Sequence, residues 1–218
     1  MNQLQKDDFI KIMNFTVNTI IDNESYFCDL DSVAGDGDFG TSLSKGFTEV
    51  KNKWEALKTE DIGAFMKSCS MIIMQKCGGA SGPIWGKAFL QAGRYAKGKE
   101  SLDLAETAGF FQSLVDGVQK AGKAKLGDKT LLDSLIPFTE SLKESAAKQA
   151  GFKEAYKEAL NKANEGAEST KKIVASQGRA RYLGERSIGA YDAGAKAVVF
   201  ILSGIYNEFL INERGFKY

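Results

Sequence analysis

Several residue types that the sequence lacks, or nearly lacks, narrow the chemistry it can perform. It contains no histidine, which excludes an imidazole base, a phosphohistidine intermediate and histidine metal ligands on this chain. Only two prolines, Pro83 and Pro137, occur in 218 residues, and this scarcity favours long helices. The three cysteines are an odd number without paired-ligand spacing. They predict reduced, mostly buried thiols in a cytosolic protein.

Neither charge nor hydropathy points to a nucleic acid or a membrane. Lysine and arginine number 29 against 28 aspartates and glutamates, so no attraction to polyanions is expected. The longest apolar run, Ala197–Leu202, is far too short to span a bilayer. The first ten residues are largely polar and do not resemble a secretory signal, and no segment resembles a flexible linker. We therefore expect a single cytoplasmic domain over residues 1–218.

The segment 29–41 carries a dense cluster of carboxylate side chains and reads D-L-D-S-V-A-G-D-G-D-F-G-T. Its four aspartates are Asp29, Asp31, Asp36 and Asp38. Such a cluster repels itself unless a cation binds in it, and Mg²⁺ takes carboxylates together with substrate phosphates. Thr41 precedes a helical pattern and is predicted to cap a helix whose N-terminus would attract phosphate. The alternative is a solvated or purely structural acidic turn.

Helical periodicity dominates the rest of the chain, and no strand alternation rises above noise. Eight helices are predicted, at about 6–27, 41–57, from Asp61 through Ile73, from Gly82-Pro83 to 96, from near Asp103, from 128–130, at 152–174 and at 192–210. Their apolar stripes are interpreted as core rather than as a cofactor-binding face. Pro137 is expected to kink the sixth helix. The predicted fold class is all-α.

Short connections between long helices favour an antiparallel up-down barrel or bundle. In that arrangement the connectors after the first, third, fifth and seventh helices lie at one end; they are 29–40, 78–83, 122–129 and 175–191. These connectors hold eleven of the 23 glycines, together with the loop aspartates and several arginines. Stability alone does not require this asymmetry. The sequence therefore predicts a ligand site on one rim of the barrel.

Three other segments are predicted to share that rim. Gly78–Gly82 opens the fourth helix and offers backbone N–H groups to an anion. Gly127–Thr130 is interpreted as a helix start, with Asp128 as a simple cap. The longest connector carries Arg179 and Arg181, whose always-charged guanidinium forks suit a transferring phosphoryl group. The alternative, for Arg181 and Arg186, is pairing with Glu185 or with the loop aspartates.

Four motifs together resemble the nucleotide-binding L subunit of dihydroxyacetone kinase, and they cover essentially the whole chain. They are L-D at 30–31 followed by G-D-G-D-F-G-T at 35–41, G-G-A-S-G-P at 78–83, G-D-K-T-L-L-D at 127–133, and G-R-A-R-Y-L-G-E-R-S-I-G at 178–189. The resemblance implies an eight-helix antiparallel barrel with ADP and two Mg²⁺ ions at one rim. That expectation agrees with the rim site inferred from the connectors alone.

The same resemblance implies roles for individual residues. Asp31, Asp36 and Asp38 match the family's metal-binding aspartates. The residues that fall where the family contacts the nucleotide are Phe39, Gly40, Thr41, Ser42, Ala80, Ser81, Gly122, Leu131, Arg179, Tyr191, Asp192, Ala193 and Gly194. Arg179 is also the predicted catalytic residue, because it would stabilise charge on the group being transferred.

The resemblance further implies partner proteins. In the family a separate K subunit holds the ketone covalently on a histidine. In phosphotransferase-dependent systems a third subunit, M, rephosphorylates ADP that stays bound. A chain without histidine is consistent with this division of labour. We therefore expect a subunit of a dihydroxyacetone or small-ketose kinase, in a homodimer or a hetero-oligomer.

Two departures from the family pattern leave alternatives open. The family usually reads G-D-G-D-H-G, whereas Phe39 replaces the histidine here, and D-P-G near the end is Asp192-Ala193-Gly194. Phe39 stands beside the expected phosphates and motivates an alternative function as a non-catalytic nucleotide-binding regulator. Another alternative keeps the enzyme but makes ATP exchangeable instead of ADP resident. The retained aspartates and Arg179 favour an enzyme over a regulator.

Overall fold

A computed structural model of the chain describes residues 3–57 and 61–211, and within these residues nearly all the regular structure is helical. The helices are α1 (Lys6–Asp22), α2 (Glu24–Ser32), α3 (Phe39–Asn52), α4 (Trp54–Leu57), α5 (Ile62–Lys76), α6 (Ser81–Tyr95), α7 (Leu104–Gly122), α8 (Leu132–Ala147), α9 (Phe152–Ser169) and α10 (Ala193–Ile205). The predicted all-α class is confirmed. That residues 1–218 form one domain stays a prediction, since 1–2, 58–60 and 212–218 lie outside the described residues.

The long helices form a closed ring. Helix α1 packs against α3, α3 against α5, and each helix from α5 to α9 against the next in sequence, until α10 packs back against α1. The short helices α2 and α4 follow α1 and α3 after single-residue breaks. The eight predicted helices are therefore present in the described residues, two of them interrupted, and they close into the expected barrel.

Apolar side chains fill the barrel, as the helical stripes predicted. Four phenylalanines, Phe27, Phe47, Phe65 and Phe138, are among the largest fully buried side chains. Aromatic rings meet edge to face, as where Phe138 and Tyr156 lie 5.2 Å apart between centroids, a geometry that ring quadrupoles favour. An interior cavity of about 160 Å³ has walls that are almost wholly apolar. The stripes are thus core, as interpreted.

The cysteines agree with the sequence prediction of free, mostly buried thiols. All three are free, with Cys69 and Cys77 buried and Cys28 partly buried. Burial raises the pKa of Cys69 to about 12 and that of Cys77 to about 11. Both therefore stay protonated, and neither is a reactive thiolate at neutral pH.

The first predicted helix, 6–27, is wrong at its end. The chain breaks at Asn23, whose side-chain amide donates to the carbonyl of Thr19 at 2.8 Å and whose own carbonyl accepts from Phe27. An asparagine side chain competes in this way for the hydrogen bonds of the helical backbone. The spacing of apolar residues gives no sign of that competition. Helix α2 then continues to Ser32. Asp29 and Asp31 consequently lie on a helix and not in the connector.

The predicted cap at Thr41 is also wrong. Helix α3 already begins at Phe39, and the Thr41 hydroxyl donates to the Glu24 carboxylate at 3.0 Å, tying α3 to α2. By contrast, Asp61 caps α5 by accepting from the Ala64 N–H. Asp103 caps α7 in a capping box with Glu106. Those two predicted helix starts are confirmed.

The turn before α8 differs from its prediction. Asp128 accepts from the N–H of Lys125 and does not cap a helix. The carboxylate of Asp133 instead accepts from the N–H groups of Gly127 and Thr130, both at 2.7 Å. These bonds hold the turn open, so that the helix begins only at Leu132. Helix α8 then runs through Pro137 as one element.

Two short strands were missed by the sequence analysis. Gln3–Gln5 (β1) pairs antiparallel with Ser101–Asp103 (β2). Three residues are too few to produce a recognisable alternation of apolar and polar side chains. The pair fixes the start of the chain next to the connector between α6 and α7.

The last helix is longer than its α-helical part. Helix α10 continues as a π-helix, Tyr206–Ile211. Together they form a segment long and apolar enough by composition to cross a membrane, and 44% of its most apolar stretch is buried inside the protein. Helix α10 packs against α1, α2, α8 and α9, which is the environment of a core helix.

Candidate functional site

A cleft of about 370 Å³ opens on the rim where α3, α6, α8 and α10 begin. Its walls come from the four connectors that were predicted to share one end of the barrel. All of the predicted site residues line this cleft except Gly40 and Thr41. Gly40 is buried against α2, and Thr41 is bonded to Glu24. The cleft has the size of an ordinary small-molecule site.

Three carboxylates meet at one side of the cleft. Asp31, from the last turn of α2, and Asp36 and Asp38, from the following loop, each offer an oxygen within 4.8 Å of the others. The loop folds back because Gly37 has φ +74°, which glycine adopts without strain, and its N–H donates to the Asp31 carboxylate at 2.9 Å. Oxygens around an octahedral Mg²⁺ lie about 3.0 Å apart when adjacent and about 4.2 Å apart when opposite. The three carboxylates are therefore near enough to converge on one hard divalent cation.

The proximity of these carboxylates has an electrostatic signature. Burial raises the pKa of Asp31, and the negative charges of Asp36 and Asp38 raise it further, against the lowering effect of the Gly37 N–H. Asp38 is exposed to solvent. The cluster therefore concentrates negative charge at the mouth of the cleft, where a cation would relieve it.

Arg179 supplies positive charge to this cluster from across the cleft. Its Nε lies 2.8 Å from Oδ2 of Asp36. The side chains are 67% and 34% exposed, and such solvent-exposed ion pairs contribute little stability. Arg179 can thus leave Asp36 for a stronger anion at small cost. The ion pair considered for Arg181 is not formed, because Arg181 stacks on Tyr182 and donates to its hydroxyl at 2.7 Å.

Two helix N-termini provide an anion-binding side. In the described part of the chain, the residues before α3 and α6, Asp38 and Ala80, make no side-chain cap. Phe39 and Ser42 of α3 and Ser81 of α6, from the first turns of these helices, line the cleft. Uncapped N–H groups and the helix dipole favour a phosphate or a carboxylate.

In the apolar part of the cleft, sequence reasoning predicted Leu131 but missed Ile84, Trp85 and Val118. Ile84 and Trp85, on the first turns of α6, line it together with Val118 and Leu131. The Trp85 ring stands edge-on to Phe47 at 6.2 Å, which fixes its position. A signal was present, because Ile84 and Trp85 follow Ser81 by three and four residues and so share its helix face. This wall suits a flat aromatic ring.

Phe39 belongs to both the core and the cleft. It lines the cleft, and its ring centroid lies 6.2 Å from that of Phe27, which in turn packs on Tyr26 and Phe200. The ring therefore packs on a wall of the rim. Its position next to Asp38 agrees with the sequence analysis.

Comparison with known proteins identifies the family of this chain. The family model of the DAK2 domain matches residues 33–207. The chain belongs to the DAK2 domain family. Over 177 residues this DAK2 domain is 40% identical to the ADP-binding subunit DhaL of the PEP-dependent dihydroxyacetone kinase of Escherichia coli strain K12, covering 81% of this chain and 84% of that protein. The corresponding subunit of kinase 2 of Listeria innocua is 37% identical over 192 residues, covering 87% and 88%.

The DAK2 domain also resembles a solved structure. The crystal structure of the dihydroxyacetone kinase from C. freundii in complex with AMP-PNP and Mg²⁺ superposes with a TM-score of 0.69 at 20% identity. The match covers 91% of this chain and 33% of that one, so this chain spans about a third of that enzyme. At this identity the likeness shows a shared fold.

Proposed function

We propose that this chain is the nucleotide-binding subunit of a kinase for dihydroxyacetone or a related small ketose. The observation that carries the proposal is the meeting of three features in one cleft. These are the cluster of three carboxylates, the uncapped starts of α3 and α6, and Arg179 opposite the carboxylates. The relatives from E. coli and L. innocua are named as ADP-binding subunits of dihydroxyacetone kinases, which supports the same function.

In this proposal three parts of the cleft bind the metal, the phosphates and the base of a nucleotide. Asp31, Asp36 and Asp38 would hold Mg²⁺, two ions in the proposed state, and the metal would supply positive charge to the phosphates. The phosphates would lie at the starts of α3 and α6, against Phe39, Ser42, Ala80 and Ser81. Leu131 and Trp85 border the base. Gly122 and Tyr191–Gly194 form the remaining walls.

Arg179 acts on the phosphoryl group during transfer. In the structure it is paired with Asp36, so it stands at the boundary between the carboxylates and the open mouth of the cleft. Its fork can follow the charge of a moving phosphoryl group because it is always protonated and weakly held. Catalysis of this kind rests on position and charge neutralisation, with little covalent chemistry from the protein.

The acceptor must reach the open mouth of the cleft. We propose that a K-type subunit presents the ketose there and that an M-type phosphotransferase subunit rephosphorylates ADP that stays bound. This scheme places the chain in the cytoplasm, within a hetero-oligomer. An exchangeable ATP in place of resident ADP is the main variant of the scheme.

The nucleotide content of the purified protein tests this function. The protein is passed through gel filtration with Mg²⁺, denatured, and its released nucleotide is identified by anion-exchange chromatography. Stoichiometric ADP supports the phosphotransferase-dependent scheme, whereas a site that exchanges ATP freely supports the variant. Transfer to dihydroxyacetone is then measured with a K-type partner, with either ATP or a phosphorylated M-type protein as donor. Absence of transfer with both donors would contradict the proposal.

Phe39 favours a second candidate, a nucleotide-binding regulator without catalysis. An imidazole at this position could donate to a phosphate oxygen, and a phenyl ring cannot. We expect the native protein to be active, because the carboxylates and Arg179 supply most of the charge. Phe39→His should then change the rate by no more than about tenfold. A rise of several orders of magnitude from near zero would favour the regulator.

A further inference from the structure

Lys129 is a buried cation whose hydrogen bonds all go to the backbone. Its side chain lies in the turn before α8, and the residue is 3% exposed. The Nζ atom donates to the carbonyl oxygens of Thr170 at 2.7 Å, Ser187 at 2.8 Å and Ala190 at 2.6 Å. An ammonium group has three N–H donors. All three are therefore used, each in a short, charge-assisted bond.

The three carbonyls belong to the two ends of one segment. Between α9 and α10 the chain makes a long excursion, 173–192, which carries Arg179; we call it the Arg179 connector. Thr170 precedes it, and Ser187 and Ala190 lie near its end. The Gly189 N–H also donates to the Lys171 carbonyl at 2.8 Å. The two ends are thus gathered into a neck, and the Lys129 ammonium lies at its centre.

Lys129 lines the cleft, which suggests a direct phosphate ligand, but its bonding does not allow that role. With all three donors used on carbonyls, none is left for a phosphate oxygen. Burial lowers the pKa of Lys129, and the nearby carboxylates of Asp192 and Asp133 oppose that effect. Burying a cation is costly, and a structural apolar residue would avoid the cost.

We infer that Lys129 is a positioning residue for phosphoryl transfer, whose ammonium fixes the neck of the Arg179 connector and so holds Arg179 opposite the carboxylates. The inference rests on the proposed function. Lys129 acts through Arg179 and does not touch the nucleotide. Its loss should therefore lower turnover, leave ADP affinity nearly unchanged, and loosen one segment of the chain.

Hydrogen–deuterium exchange tests the physical part of the inference without any activity. In Lys129→Met, a substitution that keeps length and removes the charge, peptides from the Arg179 connector should exchange about tenfold faster or more, because hydrogen bonds to a charged group are lost. The amides to follow are those of Ala175, which donates to the Ser187 hydroxyl, and Gly189. Peptides from α5 should exchange as in the wild type. Lys125→Met, an exposed lysine four residues earlier, is the matched control and should change neither.

Kinetics test the functional part. A misplacement of about 1 Å in a catalytic group can lower the rate about 10²-fold. We expect Lys129→Met to lower kcat by that order, with the Kd for ADP within about threefold. Added to Arg179→Ala, it should lower kcat no further, because its route to the reaction is already removed. A general loss of structure would instead lower kcat in both backgrounds and weaken ADP binding.

Three results would overturn the inference. They are unchanged exchange in the connector, equal losses in ADP affinity and kcat, and a full further loss of kcat in the Arg179→Ala background. If Lys129→Met cannot be purified, Lys129→Gln, which keeps two donors, replaces it. Its faster exchange in the connector and its loss of kcat should both be smaller than those expected for Lys129→Met. Failure of the proposed function gives a different result, because the wild type itself would then show no phosphoryl transfer. The exchange experiment would still test whether Lys129 fixes the neck of the Arg179 connector.

Discussion

Replacing Asp38 by asparagine should have opposite effects on stability with and without Mg²⁺. Asp38 is exposed. Among the described residues it makes neither a backbone contact like that of Asp31 with Gly37 nor an ion pair like that of Asp36 with Arg179. In the absence of metal its charge is chiefly repelled by its neighbours. With Mg²⁺ and ADP bound, the same charge becomes a ligand.

The size of the metal-free effect follows from the distances. One oxygen of Asp38 lies within 4.8 Å of oxygens on Asp31 and Asp36. Two unit charges at that separation repel by about 0.9 kcal/mol in bulk water and by about 3.5 kcal/mol at an effective dielectric constant of about 20. Because Asp38 is exposed and Arg179 neutralises part of Asp36, the aqueous figure applies. We expect Asp38→Asn to raise the free energy of unfolding by about 1 kcal/mol, or the Tm by about 2–4 °C.

The order of stability of the wild type and Asp38→Asn should reverse when ADP and Mg²⁺ are added. ADP with Mg²⁺ at about 100 times its Kd stabilises a protein by about 2.7 kcal/mol. If the lost carboxylate weakens binding about 100-fold, only about 0.4 kcal/mol of this remains. The wild type should then melt above Asp38→Asn, whereas it melts below it in EDTA.

Thermal unfolding followed by circular dichroism measures both conditions. Asp29→Asn is the matched control, since Asp29 is an exposed aspartate of the same segment that lies outside the cluster. It should change the free energy of unfolding by less than about 0.5 kcal/mol in either condition. A lower Tm for Asp38→Asn in EDTA, or a ligand-induced shift equal to that of the wild type, would refute the metal assignment.

Three further predictions concern other parts of the cleft. Arg179→Ala should lower kcat by roughly 10³-fold or more while changing the Kd for ADP far less. Rapid-quench kinetics measure the first and calorimetry the second. Equal losses in kcat and ADP affinity would make Arg179 an ordinary binding residue. Burial raises the pKa of Asp192 to about 7 from its usual 3.8, so its contribution to stability is present below about pH 4 and is lost as the pH rises through 7. In urea unfolding with EDTA, Asp192→Asn should therefore gain stability over the wild type at pH 8 and show no such gain at pH 4, and a pH-independent difference would exclude this cause. Gly40→Ala should destabilise the protein by about 1–3 kcal/mol in the same melting assay, because the added Cβ would meet the Glu24 carbonyl and the Cys28 backbone. Gly122→Ala is the control and should be tolerated, because Gly122 has open space around it.

Much of the fold was predictable because its determinants are local. The stripe at Leu43, Phe47 and Val50 is fully buried on α3, as helical spacing requires. The caps at Asp61 and Asp103 depend on residues within three positions of each other. The site was predictable to the extent that antiparallel helices send alternate connectors to one end. That arrangement alone predicts that the aspartate loop and Arg179 share one rim.

What the sequence could not predict depends on contacts between distant residues or on competition within a turn. The three bonds of Lys129 reach 41, 58 and 61 residues along the chain, and no periodicity encodes them. The choice of Arg179 over Arg181 as the partner of Asp36 depends on where Tyr182 lies. The break at Asn23 follows from a side chain that satisfies a helix carbonyl. Apolar stripes continue across such a break without a signal.

The two kinds of binding group in the cleft differ in how they respond to mutation. The anion side is built from main-chain N–H groups at the starts of α3 and α6, which no side-chain substitution other than proline removes and which do not titrate. The cation side depends on three carboxylates, and one substitution is enough to break it. In the proposed function, one side-chain substitution can therefore abolish the metal site and leave the N–H groups of the anion side in place.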